Sequence, residues 1–265
     1  MARSIWNGTI TFGLIAVPIK VHSATESHTI HFHQVHESDG ARIKQKRLCT
    51  KEDKEVPYKE VAMGYEVRGG EFVMLQKEEI DAAAGDRART IDLEQFVDRD
   101  QVDPVYYDRT YYLGAGEDGE DAYRLLHDAL ERAGRTGLGR WVFHNREYLV
   151  AVRSGDDVLV LHTMRFADQL VAVDKLDIQA PSRKPSKGEL DMAEQLVDSL
   201  HKPFRPASFK DTYRDRVAEL IKLKAEGGEV ELPEYEEPEA PDDLLAALKA
   251  SLGKGKKQPR SKARS

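Results

Sequence analysis

Seven cations crowd residues 42–59: Arg42, Lys44, Lys46, Arg47, Lys51, Lys54 and Lys59. Arg42, Lys44 and Lys46 alternate, so on a strand they project to one face as a ladder able to hold successive phosphates. A second reading is a solvated edge strand on which lysine prevents aggregation. Glu52, Asp53 and Glu55 dilute the later half of the run and favour that second reading there. Just upstream, His28, His31, His33 and His36 place four of nine histidines within nine residues. Strand alternation sets His31 and His33 on one face and His36 on the other, which splits any three-ligand set. Cys49 is the single thiolate available to a zinc ion, and no metal site is expected. Tyr106, Tyr107, Tyr111 and Tyr112 could stack bases. Alternation pairs Tyr107 with Tyr111 and Tyr106 with Tyr112, as in a strand whose aromatics fill a barrel on one face and meet a second subunit on the other.

Catalytic patterns are missing from the sequence. It holds no nucleophile elbow, no phosphate-cradling glycine loop and no H-E-x-x-H pair. Gly114-Ala115-Gly116 runs into Glu117 and Asp118, which repel phosphate. Neither a catalytic residue nor a cofactor is therefore expected, and the chain reads as a binding protein.

The net charge of -7 taken alone argues against nucleic acid. Screening confines the reach of a surface charge to roughly 8–10 Å, so the distribution of charge outweighs its sum. One cysteine in 265 residues excludes an intrachain disulfide framework and fits a reducing cytoplasm. No apolar run approaches the roughly 18 residues of a membrane span, and no basic-then-apolar leader opens the chain. A cytoplasmic protein without membrane contact is expected.

The elements that must position these residues are mostly strands up to about Asp177. Trp6, Ile10, Phe12 and Leu14 are apolar on even positions, Ile15, Val17, Ile19 and Val21 on odd ones, with Gly13 beside the change of phase. That pattern predicts two strands or one kinked strand, the apolar face flipping at Gly13. Trp141–His144, Tyr148–Arg153 and Val158–His162 read as a meander. Ala122, Leu125, Leu126, Ala129 and Leu130 recur at helical spacing and stop at Gly134. After a Pro/Ser/Lys-rich linker at 180–188, two helices are expected. Their apolar stripes are Leu190, Ala193, Leu196, Val197, Leu200 and then Tyr213, Val217, Leu220, Ile221. Residues 229–243 hold eight carboxylates, three prolines and no Lys or Arg, too polar to fold alone. A short amphipathic helix over 242–252 follows, its stripe made by Leu244, Leu245, Leu248 and Leu252. Lys254, Lys256, Lys257, Arg260, Lys262 and Arg264 close the chain as a basic tail. A marginal apolar helix on a polar tether suits a partner's groove; packing back on its own core is the competing reading.

The string Trp6-Asn7-Gly8-Thr9-Ile10-Thr11-Phe12-Gly13-Leu14-Ile15-Ala16-Val17-Pro18-Ile19-Lys20-Val21 closely resembles the opening of bacterial Ku, the DNA-end-binding family of non-homologous end joining. Residues Ile30–His36, Lys46–Cys49, Asp103–Leu113, Asp211–Tyr213 and Asp242–Leu252 resemble further Ku landmarks in the same order. The resemblance implies a mainly β, α+β fold: a β-barrel core with a DNA-encircling bridge at 1–185, a helical arm at 186–228 and a flexible tail at 229–265. It implies a homodimeric ring threaded by double-stranded DNA ends, with phosphate contacts from the run at 42–59 and from the basic tail. It further implies ATP-dependent DNA ligase D as partner, docked on Leu244, Leu245, Leu248 and Leu252. Where some bacterial Ku sequences carry a Cys-x-x-Cys pair, this chain has Cys49 and Glu52, which removes a zinc site. The competing functions are a single-strand-binding barrel and an end-processing nuclease.

Overall fold

The computed structural model describes residues 3–83, 89–144, 146–178, 183–228 and 244–254. In chain order the elements are β1 (Trp6–Phe12), β2 (Ile15–Ser23), β3 (Met63–Glu66), β4 (Phe72–Leu75), α1 (Lys77–Ala83), β5 (Thr90–Asp98) and β6 (Tyr107–Ala115). They continue as α2 (Glu120–Ala133), β7 (Arg135–Phe143), β8 (Arg146–Ser154), β9 (Leu159–Met164), α3 (Lys187–Leu200), α4 (Thr212–Ala225) and α5 (Leu244–Lys254). Two compact units result, residues 1–176 and 177–265.

The phase change at Gly13 is a hairpin. Phe12 pairs with Ile15 and Ile10 with Val17, leaving Gly13-Leu14 as a two-residue loop. Gly13 has φ +59°, the left-handed value that such a loop asks of its first residue. The flip of face therefore comes from reversing the chain: Ile10 of β1 and Val17, Ile19 and Val21 of β2 all turn into one core.

That core is a closed barrel with strand order β1-β2-β6-β9-β8-β7-β5. Every neighbouring pair is antiparallel except the closing one, where Thr9, Ile10 and Thr11 of β1 run parallel to Thr90, Ile91 and Asp92 of β5. The expected meander is β7, β8 and β9. Trp141 sits at the barrel centre, fully buried. Trp6 and Tyr111 meet it edge-on at 5.5 and 5.6 Å between centroids, and Phe143 stacks on it at 4.5 Å. So large a ring needs room on the wall, and Gly139 on the same strand shows how tightly β5 and β7 approach. A Cβ there would lie 2.0 Å from the Asp92 carbonyl oxygen.

Helix α2 covers the barrel with Leu126 and Leu130, which join the core cluster. It ends where Gly134 turns left-handed, φ +62°, and its N–H returns to the Leu130 and Glu131 carbonyls. Tyr123 bolts the helix to two strands: its hydroxyl donates to the Leu113 carbonyl of β6 and accepts from the Leu159 N–H of β9 at 2.8 Å.

The tyrosine cluster departs from simple alternation. The β6–β9 register shifts between Tyr107 and Thr110, and the Arg109 N–H bonds the Thr163 hydroxyl at 3.0 Å. The bulge flips one residue's worth of pleat. Tyr111 lies in the core against Trp141, whereas Tyr107 packs outside on His162 at 4.6 Å. Tyr107 and Tyr111 thus sit on opposite faces, contrary to the spacing argument.

In the second unit Ser186 and Glu189 form a capping box on α3, and Arg183 clamps the Glu189 carboxylate at 2.6 and 3.2 Å. The Arg183 guanidinium, with the Ser186 N–H, holds the Glu189 carboxyl down at about 2. Asp211 caps α4 by accepting from Arg214 N–H at 2.9 Å. Helix α5 lies against α3, a neighbour the sequence did not assign to it. Leu190, Val197 and Leu200 of α3 and Tyr213, Leu220 and Ile221 of α4 stay exposed. No helix among the described residues is long and apolar enough to cross a membrane.

Two measurements test this packing. Tyr123→Phe removes two hydrogen bonds and strands the Leu159 N–H, so we expect a loss of about 2 kcal/mol and a melting temperature lower by roughly 4–8 °C; an unchanged melt would mean the bolt is idle. His162 is buried on the outer wall, its Nε2 accepting from Arg153 Nε and its Nδ1 facing the Thr110 hydroxyl, each at 3.0 Å. Burial, then the Arg153 charge, push its pKa from 6.5 down to about 4. The unfolded chain therefore binds the extra proton between those values. Stability from the neutral ring is complete above pH 6.5 and is lost as pH falls toward 4, by an amount on the order of 2 kcal/mol after solvent screening. Urea melts of His162→Gln should show a correspondingly shallower fall over that window than the parent; parallel curves would refute the assignment.

Candidate nucleic-acid interface

Residues 24–89 are inserted between β2 and β5, and nearly all the described ones are exposed. The insertion's described residues are tied together by short paired turns. Val35 bridges Arg42 and Leu48 bridges Glu55. The first turn closes through His36 N–H to the Ala41 carbonyl, with Gly40 at φ +69° and Asp39 accepting from the Ala41 N–H. The second closes through Cys49 N–H to the Lys54 carbonyl at 2.9 Å. The third is the β3–β4 hairpin, where Met63 pairs with Leu75 and Glu66 with Phe72. Arg68 stands beside its Gly69-Gly70 turn.

The seven cations of the run 42–59 all lie on this arm, exposed. The regular strand ladder is not formed: Arg42 occupies an isolated bridge, while Lys44 and Lys46 lie in irregular backbone. Lys46 is paired with Glu55 at 2.6 Å and Lys54 approaches Glu52 at 3.9 Å. Arg47 lies over the Tyr58 ring, 5.0 Å from its centroid, a stack that holds the guanidinium plane in place. Arg42, Lys44, Arg47, Lys51 and Lys59 have no carboxylate within ion-pair distance among the described residues. Glu55 and Glu52, read from the sequence as diluting the run, do so by direct pairing. Arg68 is a further cation of the arm that spacing missed, because Glu60 and Glu66 separate it from the others.

On the barrel wall several cations are neutralised in place. Arg140 lies between Glu94 at 3.0 Å and Glu147 at 2.6 Å, and its bonds to Glu147 first, then Glu94, raise its pKa further. Arg135 pairs with Asp98 at 2.5 Å and Arg165 with Asp108 at 3.1 Å. The cleft beside Gly116 is lined by Glu117, Asp118, Glu120 and Asp121 with Lys20, an acidic surface that repels phosphate.

His28, His31, His33 and His36 are exposed along the arm, and His36 is engaged by Asp39 and Ser38 at 3.2 and 3.1 Å. The one His/carboxylate group close enough to chelate among the described residues is His127, Asp128 and Glu131 on α2. There the buried His127 already spends both nitrogens, on Asp128 at 3.0 Å and the Gly155 carbonyl at 3.2 Å. In the tail, Leu248 is half-buried on α5 and Lys254 is its last residue, while Lys256, Lys257, Arg260, Lys262 and Arg264 lie outside the described residues. Leu244, Leu245 and Leu252 fall on the same helix.

The barrel interior is filled by side chains, and five cations of the exposed run have no carboxylate partner among the described residues. A family model described as "Ku70/Ku80 beta-barrel domain" matches residues 11–192. The chain is 41% identical over 260 residues to the non-homologous end joining protein Ku of Anaeromyxobacter sp. (strain K), covering 97% of this chain and 88% of that one. It is 38% identical over 252 residues to the protein of that name from Solibacter usitatus (strain Ellin6076), covering 95% and 94%. It is also 38% identical over 274 residues to that of Mycobacterium tuberculosis (strain CDC 1551 / Oshkosh), covering 99% and 97%. The chain belongs to the Ku family, in its bacterial form.

Proposed function

We propose that two copies of this chain form a ring that threads onto the ends of double-stranded DNA in non-homologous end joining. The observation that carries this reading is the arm at residues 24–89, its described residues largely exposed and bearing unpaired Arg42, Lys44, Arg47, Lys51 and Lys59. A closed loop can be entered only from an end, so topology supplies end specificity. Phosphate contacts supply affinity and carry no sequence information, and joining arbitrary breaks needs none. Such a protein works by holding DNA and recruiting others, without a reaction of its own. The exposed stripes Leu190, Val197 and Leu220, Ile221 support a dimer that covers them.

Gel shifts of linear against covalently closed circular duplex test the ring. We expect binding to the linear form alone, weakened for every sequence alike when Arg42, Lys44 and Lys46 are reversed to Glu. The log–log salt slope should flatten by roughly 0.9 for each phosphate that the variant no longer neutralises. Lys46 should contribute least, since Glu55 already pairs with it. Equal affinity for the closed circle would sink the threading model.

The second part of the proposal assigns ATP-dependent DNA ligase D to α5 through Leu244, Leu245, Leu248 and Leu252, with the basic tail from Lys254 to Arg264 adding non-specific DNA affinity. Because α5 lies against α3, the ligase must either displace α3 or use the opposite side of α5. Deletion after Gly228 should abolish stimulation of the ligase and leave end binding mostly intact. A fragment that stimulates ligation as well as the full chain would disprove the assignment.

A further inference from the structure

The connection from α3 to α4 combines two features that the ring does not use. Residues 201–210 contain His201, Lys202, Arg205 and Lys210 and no carboxylate. Phe204 and Phe209 stand among them 79% and 75% exposed, their ring centroids 5.9 Å apart and their planes tilted by 36°. The two rings form one aromatic platform inside a groove of about 610 Å³, with Lys202, Arg205 and Ser208 at its edge. The backbone beneath is fixed: Pro203 and Pro206 restrict it, Phe209 N–H bonds the Pro206 carbonyl, and the Ser208 hydroxyl donates to the Arg205 carbonyl at 2.7 Å. Asp211, the next acid along the chain, is turned into α4, where it accepts from Arg214 N–H.

We propose that this platform binds the unpaired nucleotides of a DNA overhang, a base stacking on Phe204 and Phe209 while Lys202 and Arg205 meet the adjoining phosphates. The proposal rests on the reading that the chain binds DNA ends. Charge and shape together select this ligand. A groove without a carboxylate among its described lining residues favours a polyanion, and exposed aromatic faces favour a partner carrying flat apolar surfaces at regular intervals. Each nucleotide of a single strand brings both a phosphate and a free base face. A duplex offers the phosphates but hides its base faces, and an acidic peptide offers charge without a regular stack. Stacking tolerates any base, so the site leaves sequence neutrality intact.

The test measures the full-length protein by fluorescence anisotropy on three probes: a blunt duplex, the same duplex with a short overhang, and a free single strand of about a dozen nucleotides. The parent should bind the overhang roughly tenfold more tightly than the blunt end. The double variant Phe204→Ala/Phe209→Ala should lose that preference and most single-strand binding while keeping blunt-end affinity. Phe204→Trp should retain the preference, and Lys202→Glu/Arg205→Glu should remove it in a salt-dependent way. Both phenylalanines are exposed, so these variants should keep the parent melting temperature. Equal parent affinity for blunt and overhanging ends overturns the proposal, as does an overhang preference that survives loss of both rings. If the double alanine variant instead becomes monomeric, the platform is a contact between copies and the proposal falls. Failure of the blunt duplex alone to bind would count against the ring, while the single-strand probe still decides this site.

Discussion

The closing of β1 against β5 is the constraint from which the rest of this chain's organisation follows. The pair is parallel, Thr9 beside Thr90, and it completes a cylinder otherwise made of antiparallel neighbours. Closure removes the sheet edges that would otherwise invite aggregation. It also fixes both ends of the insertion: Ser23 is held against Tyr111 of β6 and Thr90 against β1. With the barrel interior filled by Trp141 and the aliphatic side chains around it, the described residues of 24–89 have no room inside. They run outside, where nearly all of them are exposed and the cations of the 42–59 run stand in water.

The barrel can tolerate that long excursion because its own packing is local and dense. Trp141 gathers Trp6, Tyr111 and Phe143, which bring β1, β6 and β7 to one point. Glycines at the wall, Gly139 above all, let strands approach where a methyl group would strike backbone. Tyr123 then ties α2 across the ends of β6 and β9. The arm costs this core little, since almost none of its described side chains is buried.

Charge is handled differently in the two places. On the wall, Arg140, Arg135 and Arg165 are each satisfied by carboxylates, and in solvent such pairs add little stability while cancelling local potential. On the arm, most cations of the run have no carboxylate partner among the described residues, and Arg47 is held by Tyr58. A chain of net charge -7 can thereby offer a positive face, because potentials decay within a Debye length and only neighbours matter.

Much of the fold was legible in the sequence because periodicity reports which face is apolar. The β1–β2 phase change, the meander of β7 to β9, the end of α2 at Gly134 and the helices after the linker all emerge from local patterns. The family itself was legible in the string around Trp6 to Val21, and the match over residues 11–192 bears it out. What spacing could not decide were features made by partners distant in the chain. Alternation assumed an unbroken strand at 107–111, and a bulge stabilised by Thr163, over fifty residues away, reversed Tyr107. The ladder at Arg42, Lys44 and Lys46 assumed a continuous strand, and among the described residues Arg42 forms one isolated bridge to Val35 instead. Phe204 and Phe209 came together only when two prolines folded the α3–α4 connection. The sequence by itself determined the strands and helices that carry a periodic apolar face, since that period reports which side chains turn to a core. Only the tertiary structure decided which cations stay free and which rings meet, since those depend on contacts that the chain makes only on closing.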